Sequence, residues 1–252
     1  MGRTVEEGKT VLVNGPASVI LVEGIVTVLG ASISEGEKIV VRKGCTLPFE
    51  AEEESILDVF LGLKADVQEM QESSIPESWQ KAFDEVLARS KPLTVLIVGG
   101  IDRGKTKLCA YMANRALAHD IITAVIDADL GQTSIGPPAT ISYGIITKQV
   151  TDLFNIEPAA IRFIGQTSPT NATERIIHEL TPITDQILEA DVPFTVINTD
   201  GWIEGSTAQE FKLMLLRKLQ PDIVIGIQIR EEVEHILHLA EEMGCTVIRV
   251  TA

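Results

Sequence analysis

The stretch Gly99-Gly100-Ile101-Asp102-Arg103-Gly104-Lys105-Thr106 constrains this chain more than any other. It fits the pattern G-x-x-x-x-G-K-[ST]. An apolar run, Leu93 to Val98, precedes it and reads as a buried strand, and Leu108 to Leu117 follows and reads as a helix. That strand–loop–helix setting is what makes the pattern a phosphate-binding loop. Its glycines let successive backbone N–H groups turn inward around a polyphosphate, and the helix N-terminus adds the positive end of its dipole. In this reading Lys105 reaches the β/γ-phosphates and is expected to contact only solvent or nucleotide, while the Thr106 hydroxyl holds Mg²⁺.

The pattern around the loop extends this to a fold. From residue 92 onward, apolar strands alternate with helices. Strands are expected at Leu93–Val98, Ile122–Ile126, Ile161–Ile164, Phe194–Asn198, Ile223–Ile227 and Thr246–Val250, and helices at 105–118, 172–190, 206–219 and 230–242. Strands apolar throughout and separated by helices are buried on both faces, which predicts a parallel sheet with helices on each side. Upstream, Val11–Val13, Ser18–Val22, Ile25–Leu29 and Lys38–Arg42 read as short strands, with turns at Asn14-Gly15, Glu23-Gly24 and Glu35-Gly36. Glu50 to Glu54 reads as a solvated edge or loop. Residues 64–90 read as polar and helical, with Ser74 as N-cap and Trp79, Phe83, Val86 and Leu87 on one face that docks on a core. The expected fold is α/β: a P-loop NTPase parallel sheet with helices on both faces, preceded by a small N-terminal β-sandwich. The expected domains are a β-sandwich-like unit over 1–63, a helical connector over 64–90 and a P-loop domain over 91–252.

Charge and cysteine usage exclude some functions. The net charge of −15 is spread over the chain, −8 in residues 1–90 and −7 in 91–252. Broad non-specific nucleic-acid binding is excluded on that ground, because phosphate contacts dominate such affinity; a short local groove is not. Cys45, Cys109 and Cys245 form neither a disulfide framework nor a zinc spacing. No apolar run approaches a membrane span, so no membrane partner is expected.

Three further segments carry chemistry. Val125-Ile126-Asp127-Ala128-Asp129-Leu130-Gly131-Gln132 ends an apolar strand in two carboxylates, where doubly wound sheets place their sites. One carboxylate can hold Mg²⁺ or its water and the other can face an attacking group. Gly165-Gln166-Thr167-Ser168-Pro169-Thr170-Asn171 follows a strand; it can clasp phosphate or ribose, or simply cap a helix. Asn198-Thr199-Asp200-Gly201-Trp202 places a tryptophan after a strand-end glycine turn, to stack on a base or to pack in a core. His235 and His238, at i and i+3, lack a third metal ligand and read as a solvated helix face.

These segments, in this order and spacing, resemble the polyribonucleotide 5′-hydroxyl kinase family, which includes the pre-mRNA cleavage-complex kinase subunit, the nucleolar ribosomal-RNA-processing kinase and archaeal relatives. The phosphate loop Gly99 to Thr106 with its acidic Asp102, the D-x-D-x-G-Q segment Asp127 to Gln132 followed by Gly136-Pro137-Pro138, Thr167-Ser168-Pro169 and Gly201-Trp202 carry the resemblance. The β-rich front end, with Glu23-Gly24 and Leu29-Gly30, extends it over nearly the whole chain. The resemblance implies ATP-dependent phosphorylation of a 5′-hydroxyl end of RNA, sometimes DNA, with RNA-processing protein partners. It implies a cytoplasmic protein in an archaeal setting or a nuclear one in a eukaryote. By position, Gly99 to Lys107 would bind ATP, with Lys105 catalytic. Thr106 and Asp127 would serve Mg²⁺, and Asp129 would accept the hydroxyl proton. Gln132, Thr167, Ser168 and Trp202 would hold the acceptor end, Trp202 by stacking, which tolerates any base.

Two departures stand beside the resemblance. No arginine pair matches the family's lid, so the chain is expected to lack that lid and the domain after it. Arg103 and Lys107 are also untypical of the family's loop. The alternative is therefore a weak or inactive ATP-binding scaffold of an RNA-processing assembly. A GTPase switch is disfavoured because no N-K-x-D segment ends a strand.

Overall fold

The computed structural model describes residues 2–252. They divide into two compact units at Pro76/Glu77.

The first unit is all β. It contains β1 (Gly2–Val5), β2 (Thr10–Asn14), β3 (Ala17–Glu23), β4 (Val26–Val28), β5 (Ala31–Ile33), β6 (Lys38–Val41), β7 (Thr46–Ala51), β8 (Ser55–Leu61) and β9 (Asp66–Met70). They form two antiparallel sheets, ordered β1-β8-β3-β6 and β5-β4-β7-β2-β9. Buried and exposed positions alternate along most strands, as in β6 and β8, so each sheet has one apolar face, the arrangement of a β-sandwich. Two sequence readings change here. Residues 66–70, expected to be helical, form β9, whose polar side chains are tolerated because it is an edge strand paired only with β2. Glu50, read as part of a solvated run, lies in β7, and its Oε1 accepts the Ser74 backbone N–H at 3.1 Å. Ser74 is thereby spent outside the helix, which starts three residues later.

The second unit begins with that helix, α1 (Glu77–Leu87), which buries Trp79, Ala82, Phe83 and Val86. Trp79 Nε1 donates to the Thr251 carbonyl at 2.8 Å, so α1 is fastened to the last strand of this unit. There follow β10 (Leu93–Gly99), α2 (Lys105–Leu117), β11 (Thr123–Ala128), β12 (Thr140–Ile146), β13 (Ala160–Phe163), α3 (Thr173–Glu189), β14 (Phe194–Thr199), α4 (Ser206–Leu219), β15 (Ile223–Gln228), α5 (Glu234–Glu242) and β16 (Thr246–Thr251). The sheet runs β13-β12-β11-β14-β10-β15-β16. β11, β14, β10, β15 and β16 are mutually parallel, as their apolar runs predict. The sheet is nonetheless mixed, since β12 runs antiparallel to both β11 and β13. β12, a strand not among those expected from the sequence, contains Gly144. A Cβ there would lie 2.7 Å from the Glu157 carbonyl oxygen, so glycine serves a close backbone approach within the strand. No described helix is long and apolar enough to cross a membrane.

Because β14 lies between β10 and β11, three loops open side by side: the one after β10, the one after β11 and the one after β14. They leave the carboxyl ends of parallel strands, where such sheets bind ligands.

Candidate active site

The loop after β10 is built for an anion. Asp102 and Gly104 both have positive φ, 57° and 92°, and Gly104 caps α2. The first N–H groups of α2 have no carbonyl one turn back, so they remain available to a ligand. Gly99 could not be alanine without a clash, since its Cβ would fall 2.4 Å from Ile227 Cγ2. Gly201 lets the loop after β14 press on this one: a Cβ there would meet the Ile101 backbone N at 2.7 Å. Ile101 and Lys107 are exposed, and Gly100 lies behind the Arg103 side chain.

Lys105 differs from the expectation that it meets only solvent or nucleotide. Its side chain is buried, 6% exposed, and Nζ donates to the Gly100 carbonyl at 2.7 Å. Burial lowers its pKa below the usual lysine value, and Lys212 adds to this against the opposing pull of Asp129 and Asp200. Holding Lys105 against its own loop keeps the ammonium in place at the cost of desolvating it.

Asp127 and Asp129 play different parts. Asp127 is fully buried. Its Oδ2 accepts the backbone N–H groups of Ser134 and Ile135, and its Oδ1 accepts those of Asp129 and, at 3.0 Å, the Asn198 side-chain amide. Burial raises its pKa, opposed by those hydrogen bonds. A carboxylate so engaged is held rigid and orients what lies in front of it. Asn198 is that intermediary: in register with Ile97 on one side and Asp127 on the other, it also offers its Nδ2 to Thr106 Oγ1 at 3.5 Å. Its Oδ1 is buried without a hydrogen-bond partner among the described residues. A buried amide oxygen left without a partner on the residue that touches the Thr106 hydroxyl is a polar group in want of a ligand, and the hydroxyl, Asn198 and the Asp127 carboxylate are oxygen-donor chemistry that fits a hydrated Mg²⁺. Asp129 is less buried, and its Oδ1 accepts the N–H groups of Gly131 and Gln132, both at 3.1 Å.

A cleft of about 750 Å³ joins the pieces. Gly100, Ile101, Arg103 and Lys105 line it, with Asp129, Gly131 and Gln132 from the loop after β11, Thr167 and Ser168 from the loop after β13, and Asp200 to Glu204 from the loop after β14. The sequence-predicted acceptor residues Gln132, Thr167, Ser168 and Trp202 are thus brought to one place. Ser168 also caps the short 3-10 turn Pro169–Asn171, accepting from Thr170 N, which is the capping reading of that segment. Trp202 likewise does two things. It stacks on Phe211, ring centroids 6.1 Å apart at 28°, and it lines the cleft.

Sequence reasoning assigned no role to Asn198, Asp200, Lys212 or Glu232. Lys212 Nζ bonds Asp200 Oδ2 at 3.0 Å, and Asp200 Oδ1 accepts the Trp202 N–H at 2.8 Å. Glu232 pairs with Arg103 at 3.0 Å. His235 and His238 do not converge: His235 Nε2 meets the Ile203 carbonyl and His238 meets Glu241. No cluster of metal-binding side chains occurs among the described residues.

This geometry has relatives. The family described as mRNA cleavage and polyadenylation factor CLP1 P-loop matches residues 99–252. The polyribonucleotide 5′-hydroxyl-kinase of Methanocaldococcus jannaschii is 34% identical over 165 residues, covering 66% of this chain and 45% of that protein. The polyribonucleotide 5′-hydroxyl-kinase Clp1 of Xenopus tropicalis is 30% identical over 124 residues, covering 46% of this chain and 28% of that protein. The chain therefore spans about half the length, or less, of the curated relatives it matches. A solved complex of wild-type Clp1p with Pcf11p has the same fold, with a TM-score of 0.79 over 99% of this chain and 66% of that one at 18% identity. With the match running from the last residue of β10 through β16, this chain belongs to the CLP1 P-loop family.

Proposed function

We propose that the chain is an ATP-dependent kinase that phosphorylates the 5′-hydroxyl end of RNA. One observation carries this reading: a single cleft joins the phosphate-loop lysine, Lys105, to a half-buried carboxylate, Asp129, and to an aromatic platform, Trp202. The names of its relatives in Methanocaldococcus jannaschii and Xenopus tropicalis support it. The fold shared with Clp1p is consistent with it, and the solved complex of Clp1p with Pcf11p supports a protein partner.

The roles follow from chemistry. The amides of the loop and Lys105 hold the ATP phosphates. Thr106, backed by Asn198 and Asp127, would hold Mg²⁺, which neutralises phosphate charge when bound. Trp202 stacks on the terminal base, and Thr167, Ser168 and Gln132 hold the acceptor strand beside it. Asp129 accepts the proton of the 5′-hydroxyl as its oxygen bonds the γ-phosphorus, while the bond from that phosphorus to the bridging oxygen of the departing ADP breaks. Two backbone amides on Asp129 Oδ1 hold the carboxylate in position. Positioning and charge neutralisation then supply most of the rate.

Labelled ATP and a 5′-hydroxyl oligoribonucleotide test the reading directly. Label on the oligonucleotide is expected; tight ATP binding with no transfer would make the chain a nucleotide-binding scaffold instead.

A further inference from the structure

The cleft is short of positive charge. Arg103 and Lys105 are the cations that line it, against the carboxylates Asp129, Asp200, Glu204 and Glu232. Lys212 neutralises Asp200. A nucleoside triphosphate brings several more negative charges into this space, and one buried ammonium does not balance them. Phosphoryl transfer also develops its charge on the terminal phosphate, where a planar guanidinium suits it best.

Arg103 sits inside the phosphate loop, directly before Gly104. Its side chain passes over Gly100, with Cγ 3.6 Å from where a Cβ on that glycine would lie. Its Nε is 3.0 Å from Glu232 Oε1, and among the described residues Glu232 is the one partner of its guanidinium. Glu232 does not depend on Arg103 in return. Its Oε1 accepts the Ile229 N–H at 3.2 Å and its Oε2 the Arg230 N–H at 2.8 Å, so its own loop fixes the carboxylate. Both ends of the ion pair are part-exposed at the cleft wall, 37% and 23%, where the arginine can exchange partners without opening the core.

We propose that Arg103 is a phosphate-contacting residue that leaves Glu232 for the terminal phosphate of bound ATP, and that Glu232 holds it when that phosphate is absent. The proposal rests on the ATP-binding part of the reading above and adds a second cation, from the loop itself, at the transferred group. Glu232 then acts as an anionic competitor of the nucleotide.

Calorimetry with Mg-ATP and with Mg-ADP on the full chain tests this in wild type, Arg103→Gln, Arg103→Lys and Glu232→Gln. Arg103→Gln is expected to weaken Mg-ATP about tenfold or more, the loss of one charged hydrogen-bonded contact, and to leave Mg-ADP unchanged. Arg103→Lys recovers part of the loss. Glu232→Gln removes the competitor and tightens Mg-ATP. Equal losses for both nucleotides in Arg103→Gln, or no loss, would overturn the proposal. So would a Glu232→Gln variant that loses as much ATP affinity as Arg103→Gln, because the pair would then merely brace the loop. A wild type that binds neither nucleotide overturns this proposal and the kinase reading together. A wild type that binds ATP but transfers nothing overturns only the kinase reading, and the ATP-against-ADP comparison still decides Arg103.

Discussion

Lys212 and Asp200 form an ion pair beneath the cleft, Nζ to Oδ2 3.0 Å, with side chains only 1% and 8% exposed. Lys212 also donates to the Asp200 carbonyl at 3.2 Å, while Asp200 Oδ1 takes the backbone N–H of Trp202 at 2.8 Å. One lysine on α4 therefore shapes the turn that presents the tryptophan. Lys212→Met leaves a buried carboxylate without its cation, and breaking such a pair costs about 3–5 kcal/mol. A large drop in melting temperature is expected. Lys212→Met/Asp200→Asn removes both charges and should recover much of it. If the double variant melts as low as the single one, packing around α4 and not the charge pair sets the cost.

Lys105 gives a pH dependence with a definite sign. Burial holds its folded pKa below the ordinary 10.5. In the window between that lowered value and 10.5 the unfolded chain binds more protons, so this group makes stability rise with pH there. ATP phosphates favour the charged lysine and push its pKa back up. Mg-ATP binding should therefore take up protons in the alkaline range, and affinity should fall as pH rises through the free protein's Lys105 pKa. Calorimetry in buffers of different ionisation enthalpy reads this uptake. Lys105→Met should bind Mg-ATP more weakly and show none of it; unchanged uptake in that variant would assign the proton elsewhere.

The sequence made the centre of the second unit readable and the supports of its site unreadable, for physical reasons. β10, β11, β14 and β15 are buried on both faces and therefore read as largely apolar runs, while the edge strand β16 keeps only its Val/Ile residues to mark it. The glycine pattern of the phosphate loop specifies backbone shape and so is local. Lys212 looks like any lysine on an amphipathic helix; only Asp200, delivered by a different loop, explains its burial. Asn198 reads as a polar residue at a strand end until β14 is placed between β10 and β11, which is what carries it to both Thr106 and Asp127. β9 was hidden because edge strands need little apolar content, and β12 carries Gly144 for a close backbone approach, a residue that weakens any strand pattern.

In the proposed reaction Asp129 acts on the acceptor and not on the nucleotide. It lines the cleft together with Lys105 and Gln132, and two backbone amides hold its Oδ1. Asn can keep those two bonds but cannot take a proton. Asp129→Asn should thus preserve the fold and ATP affinity while cutting turnover by about 10²–10⁴, the range for a lost general base. Single-turnover rates beside nucleotide titrations separate the two effects. A large loss of ATP affinity with normal turnover at saturation would move Asp129 to the metal side of the site.

Trp202 serves both the core and the cleft, and its substitution should show both. Its ring stacks on Phe211 at 6.1 Å and packs against the apolar core, yet it also lines the cleft beside Gly201. Trp202→Ala should lower the melting temperature, because the Phe211 contact goes, and should also weaken oligonucleotide binding by about 1–3 kcal/mol, roughly 5- to 150-fold, if the ring stacks on the terminal base. The loss should be the same for purine and pyrimidine ends, since every base offers a π face. Trp202→Phe keeps a ring against Phe211 and should restore most of both properties. Thermal melts and oligonucleotide titrations on the same samples part the two contributions. An alanine variant that melts early but binds RNA normally would confine Trp202 to packing, and the acceptor end would then have to be held by Thr167, Ser168 and Gln132 across the cleft.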